Sequence, residues 1–476
     1  MVVSHIPEPS LEFGNGGYHV DIRFGLIDHG PQDLNQTRRP EKIRLAVIGS
    51  QETIEGASQW LEKCRDIIPG KDSQKKNLFP EFPGFNEACC FQSTVITDSS
   101  LTHSLIPREY TNDSKDWSYD HRIDHAARVF AEGIELLADK SPDVVLLAMP
   151  LELVNYLDEA ESKRKKDKSR LKLEFHDLVK GLSMKAGKPV QVIRPSTYDP
   201  KKKSAERDER SQQRTLQDEA TRAWNFHTAL YYKAGGFPYR VPRPEDAYTT
   251  CYIGISFYVT PDKNSVRSSI ANVFNERGHG LAVRGRNAIL SKDDRQYHLS
   301  SEDSSELISD CLKAFRAEHK HQPARVVIHK SSPYSEGELD GFNAALDTSG
   351  VDIRDFLSLS RKNFRLFRPG YYPPLRGTYL EADPSSAFLY TRGSVDFYQE
   401  YPGMYVPRTL GVRIPEKNMP KRQLMEELMV LSKTNWNNVQ IDATMPITIT
   451  AARTVGNILR WLPKGYPPKP SYRFYM

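Results

Sequence analysis

Four residues of the sequence stand at spacings that could hold a terminal phosphate. His176 and Lys180 lie four residues apart, so on a helix they share one face. They fall in the opening turns of the helix predicted over residues 175–185, where free backbone N–H groups and the helix dipole favour an anion. Gln191 follows on a predicted strand, and Lys233 closes the next predicted helix. Two ammonium groups, an amide and an imidazole could together bind a phosphate and stack on its base.

Each of these residues also has an ordinary interpretation. A histidine on a helix face is usually a core or surface residue, and lysines at helix ends are usually solvated. Two charged runs nearby, residues 159–172 and 199–214, are typical of solvated loops or frayed helices, and a basic edge facing phosphates would have the same composition. Only the combination of the four residues favours a phosphate site.

The elements that must position these residues alternate between strands and helices. Short apolar segments predict strands, and apolar residues at helical spacing predict helices. In the first half of the chain, strands are predicted at residues 43–48, 143–149 and 189–193, and helices at 55–67, 124–139 and 175–185. This alternation is typical of a parallel α/β sheet.

The second half predicts a different α/β unit. A helix over residues 218–233 ends at Gly235 and Gly236, which form a good C-terminal stop. The predicted strands are 252–259, 268–275, 281–284, 325–329, 364–367 and 387–390, and the predicted helices are 305–318, 336–346, 422–435 and 451–461. A hairpin-containing sheet with flanking helices fits an RNase H-like core.

The domain organisation follows from the composition and the predicted elements of each part of the chain. Residues 1–40 are rich in Gly, Pro and Asn, with short extended pieces predicted at 18–24 and 25–28, and we interpret them as a lead-in segment. The first α/β domain is predicted over residues 41–215 and the second over residues 216–476, with the charged run at 199–214 marking the boundary.

Composition narrows the class of protein. The 476 residues are 38% apolar, which supplies sizeable cores and excludes a mainly disordered chain. The longest apolar run, Val144–Met149, is far shorter than the roughly 20 residues of a membrane span, and no signal peptide is recognised, so we expect a soluble cytoplasmic protein. The five cysteines lack zinc spacing, and the net charge of +5 permits nucleic-acid binding without demanding it.

Several short segments of the chain can be read as sequence motifs. Each motif is weak by itself, but together they follow one another in a specific order along most of the chain. They are Ala229–Gly236, Tyr252–Ser256, Arg325–Lys330, Ser335–Gly337, Tyr390–Gly393, Pro407–Arg413, Leu431–Asn437 and Met445–Thr448. With the helix–strand–helix spacing around His176 and Lys233, this order resembles the MID and PIWI domains of Argonaute proteins. The resemblance implies an α/β protein with a Rossmann-like MID domain followed by an RNase H-like PIWI domain. Since the chain leaves no room for N-terminal and PAZ domains, it resembles the short prokaryotic Argonautes.

The resemblance implies a pocket for the 5′-phosphate of a guide strand. His176, Lys180, Gln191 and Lys233 map onto that pocket residue by residue. Many relatives carry tyrosine at the first of these positions, and histidine is a known variant. In the family the chain terminus often reaches the same place, with its carboxylate on a divalent cation. The resemblance therefore implies a structural Mg²⁺ at the guide phosphate, with the carboxylate of Met476 as a ligand.

The resemblance also locates the nuclease site of a PIWI domain, which needs carboxylates to hold two divalent ions. The first carboxylate position falls on Ser256, the second falls within the stretch that holds Ser332, and the last falls near Arg453. Two serines and an arginine cannot hold two divalent ions. We therefore predict that the chain is not an enzyme and that catalysis belongs to a partner subunit.

A PIWI fold without these carboxylates still offers a channel for a guide–target duplex, which proteins recognise by shape and backbone charge. The candidate channel cations are Arg284, Arg286, Lys330, Arg392, Lys433 and Arg453. For each of them, solvated surface charge is an open alternative.

By resemblance, the expected function is that of a guide-dependent sensor in prokaryotic immunity. The chain would bind a short 5′-phosphorylated guide, expected to be RNA, and pair it with complementary single-stranded DNA of an invader. Proteins of this kind work with an APAZ-containing effector protein, either a sirtuin-like or TIR NADase or, less often, a nuclease. Target pairing would switch on the effector and deplete NAD.

Two functions from other classes stay open at the level of sequence. The first is a self-sufficient guided nuclease that uses displaced carboxylates such as Asp442, and it requires cleavage that depends on a divalent ion. The second is an unguided nucleic-acid-binding protein, which would be indifferent to a 5′-phosphate.

Overall fold

The structure is a computed structural model of the chain. It describes residues 1–111, 117–164, 173–199, 201, 216–242, 247–261, 266–273, 280–366, 373–403, 406–462, 466 and 468–476, without the side chains of residues 160–164 and 268–273. The predicted domain boundary at residue 215 and most of both charged runs lie outside these ranges. None of the described helices is both long and apolar enough to cross a bilayer.

The secondary structure follows the predicted alternation. The strands in chain order are β1 Val2–His5, β2 Leu11–Glu12, β3 Tyr18–His19, β4 Lys42–Gly49, β5 Thr94–Ile96, β6 Thr102–Ser104, β7 Val144–Ala148, β8 Val190–Ile193, β9 Thr250–Val259, β10 Val266–Val273, β11 Gly280–Val283, β12 Asn287–Leu290, β13 Tyr297–His298, β14 Arg325–Lys330, β15 Ile353–Arg361, β16 Thr378–Asp383, β17 Ser386–Leu389 and β18 Leu410–Glu416. The α-helices are α1 Ile22–His29, α2 Gln51–Lys63, α3 Pro107–Tyr110, α4 Tyr119–Ala138, α5 Leu151–Arg164, α6 Phe175–Ser183, α7 Pro195–Tyr198, α8 Glu219–Lys233, α9 Ser301–His319, α10 Glu336–Thr348, α11 Lys421–Leu431 and α12 Ile447–Leu459.

The chain forms two compact units. The large-sheet unit comprises residues 1–32, 239–460 and 470–472, and the small-sheet unit comprises residues 33–238, 461–469 and 473–476. Helix α8 therefore packs in the small-sheet unit, and the lead-in residues pack mostly in the large-sheet unit. The domain limits taken from the sequence, at residues 40 and 215, stay a prediction.

The small-sheet unit is built around a parallel sheet with the strand order β5-β4-β7-β8, and β6 also pairs with β4. The strands are apolar because the middle of a parallel sheet is covered on both faces. Helix α4 is capped by Ser118, whose side chain accepts a hydrogen bond from the backbone N–H of His121. Phe130 of α4 and Val179 of α6 pack in one core with Leu147 of β7. This core fixes α6 beside the sheet.

The large-sheet unit contains a mixed sheet with the order β1-β16-β17-β18-β15-β14-β9-β10-β12-β13, and β11 pairs with β10. Strands β9, β14 and β15 are parallel, with Lys330 opposite Ile255 on one side and opposite Ser358 on the other. Helices α9 and α10 cover one face of the sheet, and α11 and α12 cover the other. The carboxyl ends of the three parallel strands consequently meet at one edge, as in an RNase H-like core.

Helix α12 lies directly on the sheet because one strand residue has no side chain. A Cβ atom at Gly254 of β9 would lie 2.1 Å from the carbonyl oxygen of Thr448, at the start of α12. The Oγ1 atom of Thr448 is also 2.9 Å from Nδ1 of His329 on β14. These contacts set the position of α12, which carries Arg453.

The structure corrects the prediction for the N-terminal residues. Residues 22–28, predicted as extended, belong to helix α1, whose first backbone N–H groups are capped by the side chain of Asp21. The same carboxylate forms an ion pair with Arg23 at 2.7 Å. Strand β1 pairs antiparallel with β16, so the segment is an integral part of the large sheet. Periodicity missed α1 because its apolar face is weakly marked.

Candidate nucleic-acid interface

Helix α6 carries the first two residues of the predicted phosphate pocket. Its apolar side chains, among them Leu178 and Val179, are buried in the core of the small-sheet unit. His176 and Lys180 are only partly buried, as expected for two residues four positions apart on the other side of an amphipathic helix. The predicted pairing of these two residues on one helix face therefore agrees with the local structure.

Lys233 is held against the neighbouring strand. It is the last residue of α8, which ends where Gly235 adopts a φ of 105°. Its side chain is 2% exposed. The Nζ atom donates hydrogen bonds to the backbone oxygen of Val190 at 2.9 Å and to Oε1 of Gln191 at 2.5 Å, both on β8. The fold thus brings Lys233 and Gln191 together, and their binding of a phosphate stays a prediction.

Lys180 and Lys233 place two like charges near each other. Burial lowers the pKa of Lys180 to about 8, although Asp177 acts in the opposite direction. Burial and the positive charge of Lys180 lower the pKa of Lys233 well below its usual value. Within the described ranges, no carboxylate forms an ion pair with either ammonium group. A site with this charge balance favours an anion, because an anion would offset both desolvation and repulsion.

The chain end lies in the same compact unit. Tyr475 and Met476 are buried, and the hydroxyl of Tyr475 donates to the backbone oxygen of Lys469 at 2.9 Å. A Cβ atom on Gly235 would lie 3.5 Å from Nη1 of Arg473, so this segment passes the end of α8. The pocket side chains are cationic, which suits a phosphate better than a metal ion. The Mg²⁺ at Met476 stays a prediction.

The predicted nuclease positions lie in the large-sheet unit. Ser256 on β9 and Ser332 after β14 are buried, whereas Arg453 on α12 is exposed. The hydroxyl of Ser332 accepts a hydrogen bond from Nζ of Lys330 at 2.7 Å and donates one to the backbone oxygen of Tyr297 at 3.1 Å. Among the described residues there is no group of three or more His, Cys, Asp or Glu side chains that could hold a metal ion.

Two predicted channel lysines are structural. Lys330 has a fully buried side chain, and its Nζ forms an ion pair with Glu338 at 3.0 Å. Lys433 is equally buried and pairs with Glu8 at 2.9 Å. Burial lowers the pKa of both lysines, while the paired glutamates oppose the shift. Because their charges are already compensated inside the protein, we remove both lysines from the predicted channel.

The predicted channel arginines are more accessible. Arg284 is exposed, and Arg286 is half-buried, with an ion pair to Asp310. Arg392 is half-buried and binds Asp442 through two hydrogen bonds of 3.0 and 3.1 Å. Arg284 and Arg453 are therefore the candidates that keep an exposed charge without an ion pair in the described part of the chain.

Sequence reasoning missed a further group of cations. Arg361, Arg365, Arg392 and Arg408 line one cavity of about 500 Å³ with Val406 and Thr444, and we call this cavity the arginine pocket. Only Arg392 was predicted. Arg361 ends β15 and Arg365 follows it by four residues, whereas Arg408 lies in a distant segment, so a single sequence carries no signal that unites all three. The alternating pattern of residues 353–361 could have revealed β15, which ends at Arg361.

The sequence matches no protein-family model and no curated protein. The structure is similar to Clostridium butyricum Argonaute bound to a guide DNA and a 19-mer target DNA, with a TM-score of 0.64 and 14% identity over 98% of this chain and 53% of that chain. Drosophila Piwi gives a TM-score of 0.61 and 13% identity over 100% of this chain and 56% of that chain. Aa-Ago with externally bound siRNA gives a TM-score of 0.59 and 14% identity over 99% and 56%.

The chain spans about half the length of these solved proteins. At 13–14% identity the similarity is one of fold. It confirms the fold class predicted from the sequence, in which a Rossmann-like sheet is followed by an RNase H-like sheet. The chain has the fold of the MID and PIWI part of Argonaute and Piwi proteins.

Proposed function

We propose that the chain binds a short nucleic-acid guide by its 5′-phosphate and pairs it with a complementary strand. One observation carries this proposal: Lys180 and Lys233 lie close enough for their charges to interact, and no carboxylate forms an ion pair with either in the described part of the small-sheet unit. A phosphate dianion supplies the missing negative charge through charge-assisted hydrogen bonds. His176, on the same helix as Lys180, is proposed to stack on the terminal base.

We also propose that the chain does not cleave its target. In support, Ser256 and Ser332 have no carboxylate to offer, and Lys330 places an ammonium group on the hydroxyl of Ser332. Arg453 adds a positive charge at the third position, which repels a divalent ion. The rival nuclease with displaced carboxylates gains no support from Asp442, since Arg392 already binds that carboxylate at 3.0 Å.

The sequence resemblance supports a more detailed proposal for the type of Argonaute, its guide and target, and its partner protein. We propose a short prokaryotic Argonaute that uses an RNA guide against single-stranded DNA of invaders. An APAZ-containing partner, sirtuin-like first, TIR second and nuclease third, would then be activated in the cytoplasm and deplete NAD. Copurification of such a partner with the chain, and NAD loss only when guide and target match, would test this assignment.

The guide proposal predicts a strong preference for a 5′-phosphate. We expect a short RNA with a 5′-phosphate to bind about tenfold to a hundredfold more tightly than the same RNA with a 5′-hydroxyl, since a charged hydrogen bond contributes about 1.5–3 kcal/mol. Fluorescence anisotropy with internally labelled oligonucleotides measures this difference. The matched control is the same RNA with its phosphate at the 3′ end. Equal affinities for all three RNAs would favour the unguided nucleic-acid-binding protein.

The preference should also depend on pH. Burial places the pKa of Lys180 at about 8, and a bound phosphate must raise it, so binding takes up a proton above that pH. The affinity for the 5′-phosphorylated RNA should therefore fall with rising pH, by up to about tenfold per pH unit above the pKa. The phosphate stays a dianion over this range because its second pKa is about 6. A 5′-hydroxyl RNA with the same slope would contradict this role of Lys180.

A further inference from the structure

Strand β1 forms one edge of the large sheet. It pairs antiparallel with β16 over four residues without a bulge, from Val2 opposite Glu381 to His5 opposite Thr378. Within the described part of the chain, no strand pairs with the other side of β1. The edge therefore presents backbone groups with which another extended chain can pair.

The register of the neighbouring strands shows which backbone groups of β1 face outward. The N–H of Tyr390, directly after β17, donates to the oxygen of Thr378 on β16 at 2.8 Å. Because backbone groups alternate between the two sides of a strand, Thr378 faces β17 and the next residue of β16 faces β1, where it pairs with Ser4. Ser4 is therefore bonded to β16, whereas Val3 and His5 direct their N–H and C=O groups away from it.

Strand β1 has none of the features that keep sheet edges from pairing. Its four residues, Val-Val-Ser-His, include no lysine, arginine, acidic residue or proline. Natural edge strands that stay unpaired usually carry such a charge, a proline or a bulge. The side chains of Val2 and Val3 are instead 60% and 56% exposed, on opposite faces of the strand. A further strand beside β1 would cover part of this apolar surface and thereby be stabilised.

We propose that two copies of the chain pair through β1, as antiparallel neighbours related by a two-fold axis at Ser4. In this arrangement Val3 of one copy lies opposite His5 of the other, and each such pair exchanges two N–H···O=C bonds. Both outward-facing residues are then used in both copies, and the large sheet continues across the axis. This inference is independent of the proposed guide function, because β1 contributes no residue to the predicted phosphate pocket.

The neutrality of β1 favours a second copy as the occupant of the edge. Across a two-fold axis the strand meets the same side chains that it carries, so a charged edge strand repels its own copy. Strand β1 has no acidic residue, lysine or arginine and avoids this repulsion. The contact of a four-residue strand is smaller than the roughly 1,200 Å² of a standard interface, so we expect a transient dimer.

Sedimentation velocity of the whole chain measures this dimer, over a series of concentrations and with any N-terminal tag removed. Val3→Pro removes an outward N–H group and leaves the hydrogen bonds to β16 intact, because a sheet edge tolerates proline. The matched control is Val3→Thr, which keeps the N–H group and the branched side chain. We expect the control to dimerise like the wild type. Val3→Pro should need at least about tenfold more protein, because two hydrogen bonds between the copies are lost.

A second experiment tests whether β1 of one copy contacts β1 of the other. The two copies of residue 3 are diagonal neighbours across the proposed axis, within reach of long side chains. Val3→Lys and Val3→Glu should therefore each sediment as monomers, whereas an equal mixture of the two should dimerise. Thermal melting checks that every variant folds.

Three results would overturn the proposal. A wild-type chain that is monomeric at every concentration would leave the edge to a strand of another protein. A dimer that Val3→Pro does not weaken would place the contact elsewhere on the chain. A mixture of the Lys and Glu variants that stays monomeric would show that the two strands do not meet. Failure of a dimerising chain to retain a 5′-phosphorylated RNA would instead refute the proposed guide function and leave this inference intact.

Discussion

Replacing Lys180 by glutamate is expected to abolish retention of a 5′-phosphorylated guide. The substitution removes one charge-assisted phosphate contact, which contributes about 1.5–3 kcal/mol, and places a negative charge against the phosphate dianion. The loss in affinity should exceed a hundredfold. Anisotropy with a labelled 5′-phosphorylated RNA measures it. Lys185→Glu is the matched control, because Lys185 is exposed just beyond the same helix and pairs with Glu135 on the surface.

Lys180→Met separates phosphate binding from folding. Methionine keeps most of the length of the side chain and removes the ammonium group, whose burial lowers the pKa of Lys180 to about 8. It also removes the repulsion on Lys233. The variant should therefore unfold at the same or a higher temperature than the wild type and bind the guide about tenfold to a hundredfold more weakly. Guide affinity equal to that of the wild type would show that Lys180 is not a phosphate ligand.

The second prediction with a large expected effect concerns the stability contributed by the N-terminal segment. Glu8→Gln is expected to destabilise the large-sheet unit by about 3–5 kcal/mol, because it leaves two buried cations without a counter-charge. The carboxylate of Glu8 bonds Nε of Arg376 at 2.8 Å and Nζ of Lys433 at 2.9 Å, and both cationic side chains are fully buried. Unfolding by urea, followed by tryptophan fluorescence, measures the loss.

The control for this prediction is Glu426→Gln, which breaks an exposed pair with Arg422 on α11 and should cost less than about 1 kcal/mol. Burial by itself would raise the pKa of Glu8, but the charges of Arg376 and Lys433 lower it below its usual value. The stability contributed by this carboxylate is therefore present at neutral pH and disappears as the pH falls through the lowered pKa. A Glu8→Gln variant as stable as the control would show that the network is not needed for folding.

The local elements followed closely from the sequence. The strand predicted at residues 143–149 is Val144–Ala148, and the helix predicted at 218–233 is Glu219–Lys233. Apolar runs and helical periodicity suffice for such elements because burial and local pattern agree there. The prediction was wrong for residues 364–366, which form no strand, whereas residue 367 lies outside the described ranges. The central strand Ile353–Arg361 was missed despite its alternation of apolar and polar residues.

For the predicted phosphate pocket, the sequence indicated the local arrangement of the residues, and their role in phosphate binding stays a prediction. Helical spacing placed His176 and Lys180 on one face. Gln191 and Lys233 were candidates from the strand and the helix that follow, and the fold joins these two through a hydrogen bond. The lowered pKa of the two lysines was not predictable, because it depends on how deeply each side chain is buried and on the charge of the other. The sequence therefore determines which residue types are present, and the packing determines how their pKa values are shifted.

Only the tertiary structure decided which of the other cationic side chains are buried in ion pairs and which are accessible. Lys330 and Lys433 look like any other lysines in the sequence, yet they lie buried against Glu338 and Glu8, the latter some four hundred positions away along the chain. Arg361 and Arg408, by contrast, meet at one cavity because antiparallel pairing of β15 and β18 brings their loops together. Spacing along the chain determines which residues share a helix or strand face, so the sequence by itself determined the elements and the fold class. Which charges are compensated inside the protein and which stay available to a ligand depends on contacts between distant segments, and only the folded chain sets those contacts.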